Sequence, residues 1–256
     1  MQTIQFFKYQ GTGNDFVMID NREDQFPKED LSLITKLCDR KFGIGADGVI
    51  LLEEHKEVDF EMVYYNPDGS QSLCGNGSRC AVMFAKKLGI IEDNTVFVAI
   101  DGLHKAFIQQ ERVHLLMHDV DAVEQIGSDF LIDTGSPHYI QFVHALDQKD
   151  MIKEGQAIRY STRFAEDGVN VNLVEPTEGG LKIRTYERGV EGETLSCGTG
   201  CTAAALAFGL SNDTESVLLK AMGGDLEVRF KKEKNCFTDI YLIGPAKPVF
   251  EGVITL

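Results

Sequence analysis

The chain is predicted to be an α/β (α+β) protein. We expect two similar domains related by pseudo-twofold symmetry, each a mixed or antiparallel sheet wrapped around a central helix. Three observations predict this. Many short runs rich in β-branched and aromatic residues are interspersed with only a few helical patterns. An ordered set of motifs recurs at nearly half the chain length. The 256 residues (28.4 kDa) are 43% hydrophobic and 25% charged, with a mean hydropathy of -0.13, which are globular values for one large or two ordinary domains.

Taken in order, the strand-like runs are 3–7, 16–20, 58–65, 95–100 and 105–109. Later ones are 139–143, 169–174, 181–186, 216–220, 226–230, 237–243 and 249–254. Most are bounded by Gly, Asp or Asn. Helices are predicted in three places. Asp30 caps a stretch with Leu31, Ile34, Leu37 and Cys38 on one face and Gly43 beyond its end. Residues 77–88 place Val82, Ala85 and Leu88 three apart. Residues 200–210 (GCTAAALAFGL) are apolar all round, which predicts full burial.

The recurrence is specific. Asp47-Gly48-Val49 opens a strand (GVILLEE), a second strand follows (VDFEMVYY), then a polar turn, then Cys74-Gly75-Asn76-Gly77 and a helix. Asp167-Gly168-Val169 opens GVNVNLVE, followed by LKIRTY, a polar turn, Cys197-Gly198-Thr199-Gly200 and a helix. The aspartates lie 120 positions apart and the cysteines 123. That scale means two copies of one α/β unit, covering about 1–118 and 119–246, rather than a solenoid.

Charge bounds the partners. With 25 basic and 40 acidic residues the formal charge is -15, which repels nucleic acid and anionic lipid. No apolar run is long enough for a membrane span, and MQTIQFFKYQ has no secretory character. We expect a cytoplasmic protein acting on a small molecule, with its six cysteines reduced.

Each copy places a cysteine before Gly-x-Gly at a helix start. The first N–H groups of a helix lack internal partners, and the dipole adds positive charge there. Glycines admit an anion to that backbone, and a thiolate placed there has its pKa drawn below the usual value of about 8.5. If the two copies face each other, both helix ends can hold one carboxylate while the sulfurs flank the adjacent carbon, on the order of 7 Å apart. A thiolate then removes the α-proton on one face and a thiol returns one on the other, as a racemase or epimerase requires. Charge building on the carboxylate is stabilised by the helix ends. Oxidation that joined Cys74 to Cys197 would inactivate such an enzyme reversibly.

The blocks GTGNDFVMID, FGIGADGVILLE, NPDGS, CGNGSRCA, GSPH, GVNVNLVE and YERGVEGETLSCGTGCTAA run from end to end of the chain. In them the chain resembles the diaminopimelate epimerases, cofactor-independent enzymes that interconvert LL- and meso-diaminopimelate on the way to lysine and peptidoglycan. The resemblance implies that Cys74 and Cys197 are the acid/base pair. It implies that Gly75, Asn76, Gly198 and Thr199 cradle the carboxylate. Asn14, Asn66, Asn170, Glu187 and Arg188 match substrate-binding positions, and His138 matches a histidine beside the active site. Arg188 suits a bidentate grip on a distal carboxylate. Glu187 and His138 are carried as catalytic candidates beside the cysteines. The resemblance also implies a homodimer, with Phe250 at an interface position, no cofactor, and a last strand near 247–256 that returns to the first domain. Two departures touch the distal end: Ser136 replaces an Asn common before Pro-His, and Gly48 replaces a common Gln.

Two other readings compete. One is another enzyme of the same fold, either proline or hydroxyproline racemase-like, although that group typically shows Cys-Gly-His in its first turn, or a phenazine-type isomerase, although those lack the thiol pair. The other is a non-catalytic amino-acid-binding protein, which would not need a cysteine at both turns. Zinc at Cys74, Cys80, Cys197 and Cys201 fits the ligand spacing poorly. Cys38 and Cys236 are expected in the core, Lys231, Lys232 and Lys234 in a solvated hairpin turn, and Arg79 in local packing alone. His114 and His118, in a strand context, are read as coincidence, and Gly11-Thr12-Gly13 lacks the third Gly of a dinucleotide loop.

Overall fold

The computed structural model describes residues 3–255. It divides into two compact units, one of Met1–Leu115 with Gly244–Leu256, the other Leu116–Ile243. The first unit holds strands β1 (Thr3–Gly11), β2 (Asn14–Asp20), β3 (Gly48–Glu53), β4 (Phe60–Tyr65), β5 (Asn94–Ala99), β6 (Gly102–Gln109) and β7 (Arg112–Leu116). It also holds helices α1 (Leu31–Cys38) and α2 (Gly75–Lys87). The second holds β8 (Glu124–Ile126), β9 (Asp129–Asp133), β10 (Pro137–Phe142), β11 (Asn170–Thr177), β12 (Gly180–Glu187), the short β13 (Gly192–Thr194), β14 (Ser216–Ala221), β15 (Gly224–Glu233) and β16 (Cys236–Gly244). Its helices are α3 (Met151–Arg159) and α4 (Gly198–Ser211). The last strand, β17 (Lys247–Thr255), belongs to the first unit, where it pairs antiparallel with β1.

In the first unit the strand order is β17-β1-β2-β3-β4-β5-β6-β7. The β2–β3 and β4–β5 pairs are parallel and the others antiparallel. The second unit repeats it as β8-β9-β10-β11-β12-β14-β15-β16, with β10–β11 and β12–β14 parallel and the rest antiparallel. Both parallel pairs need a crossover, and a helix supplies each one: α1 and α2 in the first unit, α3 and α4 in the second.

Alternating side chains of β2 and β3 serve the two helices of their unit. Val17, Ile19, Val49 and Leu51 pack with Ile34, Leu37 and Cys38 of α1. The opposite face meets α2: Phe7 and Tyr9 of β1 contact the Phe84 ring at centroid distances of 5.0 and 5.7 Å. Buried on both faces, β3 reads as an uninterrupted apolar run. In the second unit Met151 of α3 packs with Val171, Leu173 and Tyr186. A Cβ at Gly155 would stand 2.5 Å from Tyr186 Cβ, so α3 approaches the sheet closely at that glycine. Helix α4 is buried through Cys201–Ala207, as its all-round apolar sequence requires.

Three expectations need correction. The ladders give a better alignment of the repeat than the Asp-Gly-Val match. Val49 faces Tyr65 as Val171 faces Tyr186, so Gly48 corresponds to Asn170 and Asn66 to Glu187. The two Asp-Gly-Val triplets are therefore two residues out of register. Cys236 is only half-buried, and its Sγ donates to the Asp121 carbonyl at 3.0 Å. Lys232 is no free turn lysine: its Nζ donates to the Gly209 and Leu210 carbonyls at 2.6 and 3.1 Å, satisfying the C-terminal end of α4.

Candidate active site

In the first unit, Cys74 is the N-cap of α2 with extended backbone (φ -133°, ψ 112°), and its Sγ accepts from Gly77 N–H at 3.4 Å. The sulfur thus takes the place a Ser or Asp oxygen usually holds in a cap. Asn76, on the first turn, is almost fully buried. Its amide has a defined direction. Arg79 only donates, and its Nη2 lies 2.8 Å from Asn76 Oδ1, so Asn76 Nδ2 faces Asn14 Oδ1 and donates to it. Asn14 Nδ2 in turn donates to Asp47 Oδ2 at 3.0 Å. A polar relay therefore runs from a cation to an anion through two predicted substrate-binding amides. Arg79, fully buried, also donates to Thr12 Oγ1 at 3.0 Å and to the Gly75 carbonyl at 3.3 Å.

Thr12 holds a left-handed backbone (φ 48°), an unusual state for a β-branched residue, which delivers its hydroxyl to this relay. At the other end Arg40 bridges Asp47 and Asp15, and the buried Lys8 ammonium lies 2.8 Å from Asp15. Burial pushes the Asp15 carboxyl up, but Arg40 and Lys8 together outweigh it and hold it at about 2.

Asn66 follows β4 and ties its own turn. Its Nδ2 reaches Ser70 Oγ and Ser72 Oγ, both at 3.1 Å, and so fixes the segment leading to Cys74. Gly48 has a reason in packing. A Cβ there would stand 2.3 Å from Tyr64 Cε2 and 2.6 Å from the Tyr65 carbonyl oxygen, so the tyrosine ring occupies the space a glutamine would start from.

In the second unit Cys197 is the N-cap of α4 (φ -114°, ψ 114°), but its cap differs. Its Sγ pairs with Thr199 Oγ1 at 3.4 Å and makes no full cap hydrogen bond. Loss of water around the sulfur, and then the Glu187 carboxylate, push the Cys197 thiol well above its ordinary value. The Thr199 hydroxyl and the nearby Gly200 N–H oppose this. The helix end alone predicted the reverse direction. Burial and an adjacent carboxylate win, and the resting form is the thiol.

His138, on β10, is fully buried and joins Thr199 Oγ1 through Nε2 at 2.9 Å. Burial, with a smaller repulsion from Arg188, lowers its pKa to about 3, so the ring is neutral at working pH. Asn170 Nδ2 donates to Ser136 Oγ at 2.8 Å, and Asn170 Oδ1 accepts from the Arg188 backbone N–H at 2.9 Å. The serine thus retains an acceptor for Asn170 and, at 3.4 Å, for Arg188 Nη2. Arg188 is exposed, and its Nη1 donates to the Asp167 carbonyl at 2.8 Å. Gly168 (φ +74°) leaves room for it, since a Cβ there would meet Arg188 Cδ at 2.6 Å. Glu187 accepts from the Thr194 hydroxyl. Cys80 and Cys201, the other members of the discarded zinc set, are fully buried within α2 and α4.

The candidates thus gather in two groups, one per unit. Asn14, Asn66, Cys74, Gly75 and Asn76 surround the start of α2. His138, Asn170, Glu187, Arg188, Cys197, Gly198 and Thr199 surround the start of α4. Sequence reasoning missed Arg79 as more than packing. The signal was there, since an arginine five residues past a cap cysteine, on an apolar helix face, must find buried acceptors.

The fold is shared with solved racemase-type and isomerase-type proteins. A Bacillus anthracis phenazine biosynthesis protein of the PhzF family superposes with a TM-score of 0.80 at 14% identity over 100% of both chains. A hydroxyproline epimerase from Agrobacterium vitis does so at 0.71 and 17%, over 100% of this chain and 93% of its own. At such identities the likeness defines the architecture alone. Sequence goes further. The family described as diaminopimelate epimerase matches residues 6–122 and 130–249. A diaminopimelate epimerase from Flavobacterium psychrophilum is 53% identical over 98% of this chain and 100% of its own. The chain belongs to the diaminopimelate epimerase family.

Proposed function

We infer that the protein is an isomerase that interconverts LL- and meso-diaminopimelate by a two-base thiolate/thiol mechanism needing no pyridoxal phosphate. The observation that carries this reading is the placement, in both repeats, of a cysteine at the N-cap of the helix wrapped by its sheet. Family membership supplies the substrate.

In the reaction one cysteine, as thiolate, takes the α-proton and becomes a thiol. The other, as thiol, delivers a proton to the opposite face and becomes the thiolate. Carbanion charge passes into the α-carboxylate, which the N–H groups of Gly75, Asn76, Gly198 and Thr199 stabilise. Arg188 takes the distal carboxylate. Its guanidinium donates to neutral oxygens, the Asp167 carbonyl and Ser136 Oγ, so its charge is available for an anion. Asn14, Asn66, Asn170 and Glu187 receive the remaining ammonium and carboxylate groups. Burial, helped by Glu187, keeps Cys197 in the thiol form, and His138 acts on the same sulfur through Thr199.

We place the protein in the cytoplasm as a homodimer. Val249, Phe250 and Val253 of β17 are all at least half exposed on a strand that pairs only with β1 among the described strands, which supports an interface there. Incubation with LL-diaminopimelate in D2O tests the catalytic reading. Deuterium should enter the α-carbon and the meso form should accumulate, whereas a binding protein gives affinity without exchange. Cys74→Ala and Cys197→Ala should each abolish turnover with the fold retained. Near-normal turnover in either one ends the two-base scheme.

A further inference from the structure

Asn172 lies on β11 of the second unit, two residues past Asn170. It is fully buried. Its Nδ2 lies 3.2 Å from the Tyr139 carbonyl, which can only accept, so this side of the amide carries the hydrogens. The same Nδ2 lies 3.1 Å from His138 Nδ1, while Asn172 Oδ1 accepts from Thr185 Oγ1 at 2.9 Å. The imidazole Nδ1 must therefore accept, and the single proton of the neutral ring sits on Nε2. That Nε2–H points to Thr199 Oγ1 at 2.9 Å, so the threonine oxygen accepts there. Its own proton is then directed to Cys197 Sγ, 3.4 Å away. The helix lies directly on this chain of groups: a Cβ at Gly200 would stand 2.4 Å from Asn172 Oδ1 and 3.2 Å from His138 Cε1. The other titratable groups acting on His138 and Cys197 are Arg188, Glu187 and Cys201.

We propose that Asn172 is a positioning residue. It locks His138 in the Nε2–H tautomer and thereby turns the Thr199 hydroxyl proton onto the Cys197 sulfur, where it stabilises the thiolate. The inference rests on Cys197 as one of the two acid/base sulfurs. Its test reads the tautomer and the thiol directly, without turnover.

Nitrogen-15 spectra of the histidine-labelled protein between pH 5.5 and 8 should show His138 Nδ1 unprotonated and Nε2 carrying hydrogen. Asn172→Leu should give a mixture of both tautomers. Alkylation of Cys197 by iodoacetamide at pH 8, followed peptide by peptide with mass spectrometry, reports its thiolate fraction. Thr199→Val should slow it about tenfold, the effect of losing one hydrogen bond to a charged group, and Thr199→Ser should restore it. Asn172→Leu should slow it by about threefold, since the hydroxyl is then divided between ring and sulfur. Because Thr199 is only half-buried, its variants keep the test open even if Asn172→Leu fails to fold. A proton on His138 Nδ1 in the wild-type protein overturns the proposal, as does unchanged Cys197 alkylation in Thr199→Val. If instead these results hold and no epimerisation is found, the catalytic reading fails and the relay stands.

Discussion

The buried imidazole of His138 makes the protein acid-sensitive in a calculable way. Burial lowers its pKa to about 3 from an ordinary 6.5, so the unfolded chain binds a proton near neutrality that the folded chain refuses. The contribution is present above pH 6.5 and is lost as pH falls from there toward 3. Each unit of pH in that window costs about 1.4 kcal/mol, so between pH 7.5 and 5.0 this one residue removes roughly 2 kcal/mol. The perturbation is His138→Gln, a neutral side chain that keeps a donor for Thr199. Urea unfolding of both proteins at the two pH values gives a double difference in which the other titrating groups cancel. The variant should lose about 2 kcal/mol less than the wild type on acidification. Equal losses would show that His138 is protonated in the folded protein at pH 5.0 and that burial does not hold its pKa down.

Arg79→Met should destabilise by about 1–3 kcal/mol in urea unfolding, because it leaves the Asn76 and Thr12 oxygens buried without their charged donor. It should also raise KM through the loosened Asn76–Asn14 pair. Lys232→Met should cost roughly 1–2 kcal/mol and raise amide exchange in the last turn of α4, whose carbonyls it caps. Gly48→Gln should destabilise by roughly 1–3 kcal/mol through overpacking on Tyr64, and Tyr64→Ala in the same chain should relieve part of the strain; an additive double mutant would refute that coupling.

The fold was legible where one physical signal dominated. Helix α4 is apolar all round, and α1 has an Asp cap and a one-sided stripe, so both announce themselves. Helix α3 did not. Its interior Gly155 lowers helix propensity, and its short stripe fully buries only Met151 and Gly155, although Asp150 caps it by accepting from Lys153 N–H. The β8–β9 hairpin escaped because three- and five-residue strands carry too little alternation to read. The cap position of both cysteines followed from the glycines after them. The direction of Asn76, Asn14 and Asn172 could not, because an amide's orientation is set by distant partners, Arg79, Asp47 and the Tyr139 carbonyl. Nor could the raised Cys197 thiol, which depends first on burial of the sulfur in the folded chain and then on Glu187 arriving from the end of β12.

The pairing of β17 with β1 has a consequence for the order in which the halves form on the ribosome. Strand β1 is made before every other described strand, yet its neighbour on one side, β17, emerges after all of them. The half begun later has all its strands contiguous along the chain and can close while the earlier one still waits with a bare edge. Translation stalled before residue 247 should therefore leave β1 open to sticky encounters with other nascent chains.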